Sequence, residues 1–111
     1  ALEIAPDQWE SLYVNGILLY QAARHEEARL SLQQALQANP LSSLVHGGLG
    51  NVLVALGETR QAVEEYLVAI NFDPEQPAHY LNLAIAYQKL GETELEAEAM
   101  ENYRRLLRQH P

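Results

Sequence analysis

Four histidines, fifteen acidic side chains and one glycine-rich run are the groups in this 111-residue chain that suit metal binding, acid–base catalysis or phosphate cradling. His25 falls in a turn, His46 and His79 near helix starts, and His110 near the end of the last helix. No HExxH pattern joins them, and His46 and His79 would share a site only if adjacent segments stack. Glu64-Glu65 and the glutamates from Glu92 to Glu101 could pair as carboxylates, but helical spacing scatters them over several faces. Gly47-Gly48-Leu49-Gly50 lacks the Lys-Ser or Lys-Thr that completes a phosphate loop, and no GxSxG elbow occurs. With no cysteine there is no thiolate site, disulfide or cysteine nucleophile. The sequence therefore predicts no enzyme: no catalytic residue, no metal site and no cofactor. The histidines are expected on the surface or in packing.

The overall charge narrows the partners. A formal charge of -8 argues against a nucleic-acid backbone or an anionic membrane, each of which needs a Lys/Arg surface. Arg104, Arg105 and Arg108 form the one close basic cluster. No run approaches the roughly 20 apolar residues of a membrane span, so no membrane insertion is expected. The opening ALEIAPDQWE has no basic n-region, although a processed chain could have lost one. The chain reads as a soluble module, with cytoplasmic and periplasmic locations both allowed. Six arginines against one lysine point to a GC-rich bacterial source.

The elements that position these groups repeat. Pro6, Pro40 and Pro74 lie 34 residues apart, with Pro111 following after 37. Ala28 pairs with Ala62, Ala35 with Ala69, Leu36 with Ile70 and Gly16 with Gly50 at the same spacing, and Ala84 follows Gly50. Gly57-Glu58-Thr59 returns as Gly91-Glu92-Thr93. A period of this size means a stacked array rather than one globular core.

Apolar spacing near the helical period predicts helices over 9–22, 25–38, 43–56, 59–72, 77–90 and 93–109. Pro77 suits a first helical turn, while Pro40 and Pro74 suit the ends of preceding helices. Thr93 and Glu96 have capping-box spacing, and the last helix runs from glutamates to arginines in the sense its dipole favours. Strand alternation is nowhere sustained. The fold class is all-α.

The pattern resembles the tetratricopeptide repeat (TPR) family. The second unit, 43–76, carries Leu49, Gly50, Gly57, Ala62, Tyr66, Ala69 and Pro74. The first, 9–42, carries Leu12, Gly16, Leu19, Ala28, Leu32, Ala35 and Pro40. The third, 77–111, carries Tyr80, Leu83, Ala84, Tyr87 and Gly91, with an extended second helix. The resemblance implies tandem antiparallel helix pairs stacked as a right-handed superhelix, an α-solenoid. In it Gly16, Gly50 and Ala84 would mark close crossings, opposed by Ala28, Ala35, Ala62 and Ala69.

Three features depart from the pattern. The first turn, Ala22-Ala23-Arg24, lacks the glycine of the other two and is expected to take a different geometry. The third unit is three residues longer, which predicts an early start for its last helix and puts Ala99, Tyr103 and Leu106 in the roles of Ala62, Tyr66 and Ala69. Residues 1–8 match the end of a preceding repeat, so the chain reads as cut from a longer array. Both ends are then expected to self-associate, the last helix through Leu95, Met100, Leu106 and Leu107.

By resemblance, the first helices line a concave groove presenting Tyr13, Ile17 and Tyr20, then Leu44, Asn51 and Val54, then Leu81, Asn82, Ile85 and Lys89. Tyr20 and Ile85 could instead pack between units. A clamp for a C-terminal carboxylate would fall on Tyr13, Ile17, Gly48, Ala78 and Asn82, where only the asparagine fits. An asparagine ladder would fall on Val14, Gly48 and Asn82, with one rung kept. The expected role is a protein–protein interaction module, a scaffold holding a peptide or helix with apolar side chains. The alternative is a structural spacer or homo-oligomer that associates through its terminal helices.

Overall fold

A computed structural model describes residues 8–109. Six helices follow in order: α1 (Trp9–Gln21), α2 (His25–Ala38), α3 (Ser43–Ala55), α4 (Thr59–Phe72), α5 (Pro77–Leu90) and α6 (Thr93–Gln109). Two of them, α1 and α3, stop one residue before the ends the sequence predicts. Residues 1–7 of the segment matched to a preceding repeat, together with His110 and Pro111, lie outside the described residues.

Each helix packs antiparallel on the next to make three pairs, and the pairs stack through α2 on α3 and α4 on α5. On one side α1 also meets α3 and α3 meets α5, whereas α1 and α5 do not touch. The result is an elongated body of 45 × 29 × 21 Å. Its core runs the length of the stack, from Ala28 and Leu32 through Val45, Val52 and Tyr66 to Leu83, Ala86 and Ala99.

Local chemistry accounts for the ends of these helices. Ser42 caps α3 by accepting from the Val45 amide at 3.3 Å. Pro77 occupies the first turn of α5 and holds Gln76 extended. Pro40 and Pro74 follow the ends of α2 and α4 by two residues. The capping box does not form as the sequence predicts, because Thr93 is itself the first residue of α6. It matches Thr59 in α4, where the preceding Glu58 makes no side-chain cap bond.

The first turn corrects the expectation made for it. Ala23 has φ 62°, in the same left-handed region as Gly57 at 83° and Gly91 at 75°. The Arg24 amide donates to Leu19 at 2.9 Å, as Glu58 does to Leu53 at 2.8 Å and Glu92 to Tyr87 at 3.0 Å. These paired helix-end bonds require the left-handed residue whatever its side chain. The geometry is shared, and Ala23 carries strain the glycines do not.

The close crossings are also corrected in part. A Cβ on Gly16 would sit 2.7 Å from Leu32 atoms, and one on Gly50 would sit 2.5 Å from Tyr66 Cε1. The large side chains one helix away fill these gaps, while Ala28, Ala35, Ala62 and Ala69 lie fully buried.

The last helix does not start early. Thr93 follows Thr59 by the ordinary period, so the three extra residues lie at the far end of α6. Ala99 and Leu106 are buried as assigned, but Tyr103 is only half-buried, unlike Tyr66. Of the apolar residues expected at the end of the stack, Leu106 is buried and Met100 packs on the core, whereas Leu95 and Leu107 stay 41% and 45% exposed, Leu95 lining a small cleft of about 170 Å³ with Leu67, Tyr80 and Tyr87.

Candidate functional site

Three inner helices, α1, α3 and α5, bring one residue set together. A cleft of about 400 Å³ is lined by Tyr20 from α1, Asn51, Val54 and Ala55 from α3, Tyr66 from α4, and Asn82, Ile85 and Lys89 from α5. Six of the ten sequence-predicted groove residues meet there: Tyr20, Asn51, Val54, Asn82, Ile85 and Lys89.

The other four do not line the cleft. Tyr13 and Ile17 lean on the next pair, with Cε1 and Cδ1 each 3.4 Å from where a Gly48 Cβ would stand. They are half-buried at this seam. Leu44 is 48% exposed near the start of α3, and Leu81 is half-buried on α5.

Two lining residues, Ala55 and Tyr66, escape the sequence reading. Tyr66 belongs to a second helix, yet its ring lies across Gly50 and its hydroxyl donates to Asn51 Oδ1 at 2.5 Å. Burial, with Tyr20 nearby as the smaller cause, raises the Tyr66 pKa well above the ordinary tyrosine value. The hydroxyl is therefore a fixed donor, and it orients the Asn51 amide nitrogen away as a donor too. A tyrosine one helix away from Gly50, with Asn51 the next residue, was the available signal, since a buried hydroxyl needs a partner.

Charge in the cleft runs against the chain as a whole. No acidic residue lines it, and Lys89 is its single formal charge, although the chain carries -8. Its polar lining is biased toward donors: Lys89 donates only, and the Asn51 oxygen is already occupied. Its apolar lining is Val54, Ala55 and Ile85, the last 41% exposed.

The histidines lie elsewhere. His79 is 4% exposed and sits on Gly47, with both ring nitrogens buried and unpartnered. Burial lowers its pKa, and the Asp73 carboxylate opposes that in smaller measure. His46 contacts Glu65 Oε2 through Nδ1 at 2.7 Å and donates to the Pro40 carbonyl through Nε2 at 2.9 Å. It lies beside the Phe72 ring, while His25 lies beside Tyr20. Among the described residues no group of three His, Cys, Asp or Glu side chains is placed to hold a metal ion. None of the described helices is long and apolar enough to cross a membrane.

Stacked antiparallel helix pairs define an α-helical repeat scaffold. Family models agree: one described as TPR repeat matches residues 50–91, and one described as tetratricopeptide repeat matches residues 80–111. The chain belongs to the tetratricopeptide repeat family. It is 35% identical over 78 residues to tetratricopeptide repeat protein 7B of Mus musculus and of Homo sapiens. That match covers 70% of this chain and only 9% of those relatives. Among solved structures it is similar to a type III secretion (T3SS) complex from Aeromonas hydrophila, at TM-score 0.89 and 28% identity over 95% of this chain and 70% of that one. PcrH, in complex with the chaperone-binding region of PopD, superposes with TM-score 0.90 over 97% of this chain and 81% of its own. At 24% identity that likeness concerns the fold.

Proposed function

We propose that the chain recognises a short segment of a partner protein in the cleft between Tyr20 and Lys89. The segment is extended, carries an apolar side chain for Val54 and Ile85, and offers acceptors to Asn51, Asn82 and Lys89. The observation that carries this reading is the charge and donor bias of the cleft. A surface that is acidic overall would ordinarily repel an acceptor-rich peptide, and this cleft gathers donors without an acid. Main-chain carbonyls, or one acidic side chain beside Lys89, fit that lining. A fold of the same type holds a region of another protein in the PcrH complex, which is compatible with the reading.

The test is selection from a displayed random-peptide library, followed by titration of the enriched peptide. Enrichment of apolar sequences with an acidic residue is expected. Asn82→Ala and Lys89→Glu should each weaken binding by roughly tenfold, about 1.4 kcal/mol, while the outward Arg60→Ala leaves it unchanged. With a single cation in the cleft, binding should survive moderate salt. Peptide-induced amide shifts confined to α2, α4 and α6 would overturn the proposal.

A further inference from the structure

The seam between α4 and α6 differs in chemistry from the equivalent seam one period earlier. Between α2 and α4 four positions carry Gln33, His46, Gln61 and Glu65, and His46 Nδ1 contacts Glu65 Oε2 at 2.7 Å. The same positions 34 residues on carry Leu67, Tyr80, Leu95 and Ala99. Every polar member has become apolar or aromatic, and no hydrogen-bonded pair stands in the gap. A notch of about 170 Å³ lies there instead, with buried Leu83 among its lining. Leu67 and Leu95 remain exposed beside it.

Stacking of helix pairs does not account for this notch. α4 and α6 do not touch each other, and α5 lies between them. In the same way α2 and α4 do not touch, and neither α5 nor α6 reaches α2. A pair packed beyond α6 on this pattern would leave α4, and with it the Leu67 wall, uncovered.

Charge around the notch selects its occupant. Glu98 lines it, and an adjoining depression that shares Tyr87 and Leu95 adds Glu64 and Glu92, with Arg60 as the one base. Among the described residues none of these three glutamates forms an ion pair. Burial raises the Tyr87 pKa, and Glu98 and Glu92 raise it further, so both carboxylates act on the notch. Such a rim repels acidic segments, a second copy of this chain at -8 included, and attracts basic ones. The space suits one side chain, being well below the about 300–1,000 Å³ of small-molecule pockets.

We infer that the notch between α4 and α6 docks a basic segment of a partner protein, seating one aliphatic side chain against Leu67, Tyr80 and Leu95 while flanking arginines meet Glu92 and Glu98. Apolar burial holds the contact, and the carboxylates set the sign of the partner. The notch shares no residue with the Tyr20–Lys89 cleft and takes a segment of opposite charge.

The probe is the peptide acetyl-Arg-Ala-Leu-Ala-Arg-amide, titrated to millimolar concentration into the 111-residue chain and followed by amide and methyl shifts. Shifts at Leu67, Tyr87, Leu95 and Glu98 are expected. Leu67→Gln with Leu95→Gln restores the side chains of the preceding seam and should weaken binding by roughly tenfold, as should Glu92→Gln with Glu98→Gln. Leu30→Gln, at another exposed leucine on α2, should leave it unchanged. An unaltered helical spectrum of each double variant separates lost docking from lost folding. Absence of shifts around Leu67 and Leu95 overturns the proposal, as do shifts confined to the cleft. Equal binding of a peptide with glutamates for its arginines overturns the charge selection, and equal binding with alanine for its leucine overturns the seated side chain. Shifts at the notch produced by concentrating the chain alone, and abolished by the double leucine variant, would make the occupant a second copy and also overturn it.

Discussion

The Tyr66 hydroxyl donates to the Asn51 side-chain oxygen at 2.5 Å, tying α4 to the inner face of α3. One bond thus joins a core residue that is 2% exposed to a residue lining the cleft. Tyr66→Phe keeps the ring against Gly50 and removes only the donor. It should lower stability by about 0.5–1.5 kcal/mol in urea unfolding. Absorbance titration should also show one tyrosine of the native protein ionising well after the others, and Tyr66→Phe should abolish that late step.

Gly50→Ala should destabilise by about 1–3 kcal/mol, because a new Cβ meets a buried ring rather than a movable chain end. Alanine's better helix propensity, worth about 1 kcal/mol, offsets only part of this. Gly16→Ala against the buried Leu32 should behave similarly. Thermal unfolding of both variants beside the parent is the measurement.

Ala23→Gly should stabilise the protein. The left-handed conformation costs alanine about 1–2 kcal/mol, and the added freedom of glycine in the unfolded chain returns about 0.4–1 kcal/mol of that. The expected net gain is about 0.5–1 kcal/mol, read from the urea midpoint with an unchanged slope.

His79 sets a pH dependence. Its folded-state pKa lies below the ordinary 6.5, so the unfolded chain takes up the proton first as pH falls. The stability from keeping the ring neutral is present above 6.5 and is lost as pH drops from there through the lower folded value. His79→Leu should flatten this slope. It should also stabilise at low pH, because it removes two buried ring nitrogens with no partner. Urea unfolding of both proteins across that interval is the check.

The repeat made most of the helices legible. Pro40, Pro74, Gly57 and Gly91 punctuate the chain, and helix-forming spacing fills the intervals, so observed ends fall within one residue of those expected. The Ala23 turn was not legible, because residue type reports what a conformation costs while the Arg24-to-Leu19 bond decides whether it forms. The inner face was legible as a set of register positions, but register alone does not divide groove from seam. Tyr13 and Ile17 lean on Gly48 because that glycine leaves room, while Tyr20 meets no such gap and borders the cleft. The burial of His79 and the inward turn of Leu106 depend on neighbouring pairs, which a single helix's pattern does not record.

Because α1 and α5 do not touch, the first and third pairs are joined only through the second. Tyr20 and Lys89 nevertheless border one cleft. A stack linked this way behaves like a short spring, whose coils can twist and open with small changes at each seam. An occupant held at both Tyr20 and Lys89 would act as a strut across all three coils and fix the pitch. Recognition and stiffness would then be one property, with the ligand measured as much by its length as by its side chains.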